Sequence, residues 1–322
     1  MERLREELRK MLYFEYLYSD KANKDNTILT ESNGVPDIIN NLAMLFKTRL
    51  YEWLEKNDRG GTFNFTNKDI KEINSKNLFF KSLNAEIEIK LYTIDGGNFA
   101  YQRYNGNNFS GGVLKKCKIE GLYKINPNNI ASSVSHATAL FAHELVHAYE
   151  DYQRQSGNRE DFIDNIAKYG YMGNRYRHDQ SQPIDKRKLS YIIYYLTPQE
   201  VRAYCTQIIK ACEEEISMCS SSEQAFNVIQ QNTIWQNYEV IGEYIKAIAN
   251  QTTNCSTDDI EKWWEDIMDK KWGFDKIVQY LKKNYDRAKK QLVNNISKKI
   301  ANIALSNDKW HYLGDDDKLI EI

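Results

Sequence analysis

Apolar residues recur with a helical period through most of the chain and change to strict alternation only once, between residues 85 and 126. A helix needs apolar side chains every three or four residues and a half-buried strand needs one every second residue. A single switch of period therefore points to a helix-rich α+β fold with one small sheet. Ile38, Ile39, Leu42, Leu45, Phe46, Leu50 and Leu54 follow Pro36 at helical spacing. The charged, leucine-rich stretch 3–18 reads the same way, and a weaker helix is expected at 68–82. Ile87, Ile89, Leu91 and Thr93 then alternate with Glu88, Lys90 and Tyr92, as in a strand. Asp95-Gly96-Gly97 is a turn signal with Phe99–Tyr104 as the return strand, and Val113–Ile119 and Leu122–Ile125 read as further strands. Short connections predict a mainly antiparallel sheet.

The helical period returns over 131–155, where Ala137, Phe141, Leu145, Ala148 and Tyr152 form one stripe. Residues 157–190 read as polar and irregular. Thr197-Pro198 opens another helix to about Met218, and helices are expected at 222–231, 234–250, 257–269 and 274–304. With only four prolines and no Gly/Ser-rich linker, the plan is a helical region over 1–82, a core over 83–220 and a second helical region over 221–322.

Composition narrows the function. Lys+Arg is 44 and Asp+Glu is 45, for a net charge of −1, so a generally basic nucleic-acid binder is not expected. Lys282-Lys283 and Lys289-Lys290 are mixed with Asp and Asn and read as solvated helix faces. No apolar run approaches the ~18 residues of a membrane span, and the charged opening Met1–Lys10 is unlike a signal peptide. A cytoplasmic protein is expected, with delivery into another cell or a virus particle left open. The five cysteines include no C-x-x-C pair. Cys205, Cys212 and Cys219 recur every seven residues, about 10 Å apart along a helix, too far for a disulfide. They read as buried apolar side chains in a reducing compartment. Phosphate-loop, dinucleotide and serine-hydrolase signatures are absent.

The chemistry lies in His143-Glu144-Leu145-Val146-His147, an H-E-x-x-H sequence within the 131–155 helix. The spacing i, i+4 puts both imidazoles on one helix face, one turn apart, where they can share one tetrahedral metal. Glu144 then projects beside the metal, placed to take a proton from a water there and return it to a leaving amine.

On these five residues, and on a small sheet preceding a motif helix, the chain resembles the zincin metallopeptidases. The resemblance implies Zn2+ as cofactor, a protein or peptide as substrate, and peptide-bond hydrolysis with Glu144 as general base. It also implies backbone pairing of substrate along an edge strand, either Gly121–Ile125 or Phe99–Tyr104. His143 and His147 would be metal ligands, and a third is needed. Gln153 and Glu150 stand where the metzincin branch carries its third His and its Gly, which excludes that branch. The gluzincin branch takes a Glu from a later helix, and Leu196–Tyr204 offers Glu200. Glu200 also fits a capping box with Thr197 and Pro198, and Asp151 and His178 are other candidates for the third ligand. Tyr204 occupies the position where gluzincins often carry an orienting Asp. Tyr204, His178, Arg202 and Tyr171 are candidate oxyanion donors, Tyr204 and His178 foremost. No nucleic-acid or membrane partner is expected. Two other readings stay open: a catalytically inactive zincin-fold binding or structural protein, and a non-peptidase metal hydrolase.

Overall fold

The computed structural model describes residues 37–57, 62–65, 86–93, 109–110, 113–114, 116–123, 129–155, 176–305, 311–313 and 319–321. The chain divides into two compact units. One, the motif unit, comprises Val35–Asp161 with Ile209–Ala211; the other, the helical unit, comprises Phe162–Ile208 and Cys212–Ile322 with Met1–Gly34. The expected helices at 3–18 and 68–82 and the return strand Phe99–Tyr104 lie outside the described residues.

The motif unit runs α1 (Asp37–Lys56), β1 (Thr62–Phe65), β2 (Glu86–Thr93), β3 (Phe109–Ser110), β4 (Val113–Leu114), β5 (Lys116–Tyr123) and α2 (Ile130–Gln155). Its core is aromatic. Ile39, Leu42, Ala43, Phe46 and Leu50 of α1 are buried at helical spacing. Phe63 and Phe65 are buried while Asn64 between them is exposed, the two-residue period of a strand with one face inward. Phe46 stacks on Phe141 of α2 at 4.3 Å and meets Phe63 and Phe65 edge-on at 5.6 and 5.8 Å. On α2 the expected stripe is buried at Ala137, Phe141, Leu145 and Ala148. The small alanines suit the close packing of α1 on α2. Asn129 Oδ1 accepts from the Ser132 N–H at 3.0 Å and caps the start of α2.

The expectation of a small, mainly antiparallel sheet is corrected. Helix predominates among the described residues, and the three-stranded ladder has the order β1-β2-β5 with mixed directions. β1 pairs antiparallel with β2, Phe63 opposite Leu91, but the eight-residue pairing of β2 with β5 is parallel, from Glu86↔Lys116 to Thr93↔Tyr123. A parallel pair needs a crossover of about a dozen residues or more, and residues 94–115 provide that length. Alternation of apolar residues is the same in both directions of pairing, so it does not fix strand direction. Gly121, between the strands expected at Val113–Ile119 and Leu122–Ile125, lies within β5 opposite Leu91.

The helical unit contains α3 (Ile184–Tyr195), α4 (Pro198–Ser217), α5 (Ser222–Gln231), α6 (Thr233–Ala249), α7 (Thr257–Met268) and α8 (Phe274–Leu305), then β6 (His311–Leu313) paired antiparallel with β7 (Leu319–Glu321). The punctuation is local chemistry. Pro198 opens α4; Ser221 accepts from Gln224 N–H at α5; Asn232 accepts from Ile234 N–H at α6. Ser256 and Asp259 form a reciprocal capping box at α7, which ends on Asp269 in the left-handed region. Ile277, Leu281, Ala288, Leu292, Ile296 and Ile300 form the buried stripe of α8, which packs on α5, α6 and α7.

Helix α3 corrects another expectation, since 157–190 had read as irregular. Its polar sequence is compensated by partners outside the helix. Lys186 is buried, pairs with Asp266 of α7 at 2.7 Å and lies over the Tyr176 ring, while Leu189, Ile192 and Ile193 supply the apolar face. Among the described residues no helix is long and apolar enough to cross a membrane.

Phe46 is the hub of the motif-unit core, so Phe46→Ala should destabilise that unit by about 3–5 kcal/mol. Urea unfolding followed by circular dichroism measures this; a loss below about 1 kcal/mol would refute the assigned packing.

Candidate metal centre

Helix geometry alone brings the motif together. His143 and His147, one turn apart on α2, have their Nε2 atoms 3.1 Å apart. Their ring centroids lie 4.8 Å apart with planes at 79°. Glu144 Oε1 lies 3.7 Å from His143 Nε2. One ligand atom from each of the three residues falls within 4.8 Å of the others. His143 is 5% exposed and Glu144 7%, with Leu145 and Val146 buried beside them; His147 is half-buried and offers the solvent side.

This arrangement fits a divalent ion. Two imidazole nitrogens each about 2.0–2.1 Å from one tetrahedral ion lie about 3.3 Å apart, close to the 3.1 Å observed. The same separation also suits a hydrogen bond from one imidazole tautomer to the other. Glu144 adds a second consideration. A buried carboxylate is costly unless positive charge stands beside it. The imidazoles of His143 and His147 adjoin it, where a bound cation would supply such a charge.

Of the remaining candidates, Glu200, Tyr204, Arg202 and His178 belong to the helical unit and Asp151 to the motif unit. Glu200 lies in the first turn of α4 and is 8% exposed, at the helix end whose dipole favours a negative charge. The capping-box alternative for Glu200 is not realised. Thr197 makes no side-chain cap, and its hydroxyl donates backward to the Tyr194 carbonyl at 2.9 Å. Tyr204, one turn further along α4, stacks on Tyr195 at 4.4 Å and 16°. Burial, then Tyr195, Tyr194 and the Glu200 carboxylate, push the Tyr204 phenol well above its ordinary range, so it stays a neutral hydroxyl. Tyr238 donates to the Tyr195 carbonyl at 3.0 Å and is pushed up by burial, Tyr195 and Glu200.

His178 is exposed. Its Nε2 accepts from Arg177 Nε at 3.0 Å, while Arg177 lies over the Tyr194 ring. Desolvation first, then the Arg177 charge, hold the imidazole below its ordinary range. Tyr171 and the side chain of Asp151 lie outside the described residues. The tyrosine cluster of 191, 194, 195, 204 and 238 escaped the sequence reading; its one local signal is the spacing of Tyr191, Tyr194 and Tyr195, and Tyr238 joins only through tertiary packing. Cys205, Cys212, Cys219 and Cys255 are free, and burial raises the Cys205 thiol to about 12 and the Cys212 thiol to about 11. These two thiols are packing groups rather than nucleophiles.

No family model, curated protein or solved structure matches this chain.

The phenols give a pH dependence. In the unfolded chain tyrosines ionise near pH 10, whereas Tyr204 and Tyr238 keep their protons in the fold. The unfolded state then binds fewer protons, so stability is intact below about pH 10 and falls as pH rises beyond it. Denaturant unfolding between about pH 8 and 11, compared with a Tyr204→Phe/Tyr238→Phe variant, should show a steeper alkaline loss in the parent. Equal slopes would remove the assignment.

Proposed function

We propose that this chain is a zinc-dependent peptidase of the zincin type, with His143 and His147 as metal ligands and Glu144 as general base. The observation that carries the reading is the 3.1 Å approach of two imidazole nitrogens beside a buried carboxylate on one helix. A metal bound there would polarise a carbonyl and acidify a water.

The chain's own groups would do the rest. His143 and His147 hold the ion on the half-open side of α2. Glu144 takes the proton of the attacking water at its carboxylate and passes it to the departing amine, which must be protonated to leave. Burial strengthens this role, since a carboxylate shielded from bulk water exchanges its proton with the reacting atoms. Glu200 is the proposed third ligand, an assignment that rests on the sequence resemblance. Tyr204 and His178 are the proposed donors to the oxyanion. Tyr204 suits the task as a phenol that stays protonated, and His178 as an exposed ring.

Elemental analysis of untagged protein should find about one zinc per chain, and Glu144→Gln should keep that zinc while losing about 10²–10⁴ in turnover of a denatured protein substrate. Glu200→Ala should weaken zinc retention during dialysis against a chelator. A parent that takes up no zinc when supplied with it overturns the reading, as does a Glu144→Gln variant as active as the parent. Zinc retention unchanged in Glu200→Ala moves the third ligand elsewhere.

A further inference from the structure

Helix α8 carries a stripe of exposed basic residues. Positions 276, 283, 287 and 290 fall within about 60° of one another around the helix and extend along about 21 Å of its axis. All four residues, Lys276, Lys283, Arg287 and Lys290, are exposed. Lys276 lies over the Trp272 ring at 4.4 Å. Lys283, Arg287 and Lys290 make no ion pair among the described residues, although Lys289 beside them is tied to Glu239 at 3.0 Å. Asp275 and Asp286 flank the stripe and leave it net positive.

A cleft opens along the edge of this stripe, lined by Ile193, Leu196, Thr197, Pro198, Tyr280, Leu281 and Arg287. Its lining is mostly apolar. The Thr197 hydroxyl is already spent on the Tyr194 carbonyl, so Arg287 is its one charged group. The cleft has room for about two or three waters, roughly the bulk of one aliphatic side chain.

We propose that α8 and this cleft form a docking site for an acidic polypeptide segment, anchored by one aliphatic side chain in the cleft with a carboxylate beside Arg287. Charge complementarity selects the acidic partner, and the apolar lining selects the anchor. Nucleic acid is disfavoured because base stacking needs open aromatic faces. Trp272 already stacks on Trp264 at 5.2 Å, and both rings engage Tyr280 edge-on. A membrane surface is disfavoured because, among the described residues, the exposed large apolar side chains Met44, Ile184, Met218 and Val240 lie off α8. This docking role is independent of the metal reading.

Fluorescence anisotropy with a labelled heptapeptide, one leucine between two runs of three glutamates, tests the site on the full chain. Saturable binding should weaken about tenfold or more with Arg287→Glu, and similarly when the peptide leucine becomes asparagine. Lys283→Glu should weaken it as well, and added salt should lower it throughout. Both substituted residues are exposed, so circular dichroism should match the parent. Absence of saturable binding up to about 1 mM overturns the proposal, as does affinity indifferent to Arg287→Glu and Lys283→Glu. It is equally overturned if an oligouridylate or a phosphatidylserine vesicle binds the stripe more tightly than the peptide.

Discussion

The stack of Phe46 on Phe141 is the contact on which the motif-bearing unit depends. Phe141 is two residues before His143, on the opposite side of the same helix. Fixing its ring against α1 fixes the rotation of α2 about its axis, and that rotation decides which side His143 and His147 face. Phe63 and Phe65 close the same cluster from β1. A helix held by one aromatic face can carry costly polar groups on another, because the packing free energy of the first offsets the desolvation of the second.

That desolvation is the second constraint. His143 and Glu144 are adjacent, buried and within 3.7 Å of each other. In water neither group would hold the other in place; in a low-dielectric setting the carboxylate demands a nearby positive charge. The i, i+4 imidazoles stand beside it, where a bound cation would supply such a charge. Local helix geometry and burial together thus turn three ordinary side chains into a candidate centre.

In the helical unit, several polar residues are packed rather than solvated. Lys186 reads as a surface lysine, yet it is buried on Asp266 and the Tyr176 ring. Four tyrosines gather around Tyr195, and Glu200 lies within electrostatic reach of Tyr204 and Tyr238. Each would pass as a generic polar position in the sequence, because hydroxyls and aliphatic amine stems bury readily once partners from distant segments arrive.

Periodicity and short-range punctuation were enough to find α1, α2 and α4 to α8 within a few residues of their ends, and the H-E-x-x-H group was legible because its geometry is set by one helix turn. Both rest on interactions between neighbours in the chain. The direction of the β2–β5 pairing, the existence of α3 and the failure of Thr197 to cap α4 were not legible. A strand looks the same whichever way its partner runs, a charged helix is stabilised by a carboxylate eighty residues away, and a threonine hydroxyl chooses between two nearby carbonyl and amide partners according to how the preceding helix ends. These are decided by contacts between segments far apart in sequence, so only the tertiary structure could settle them.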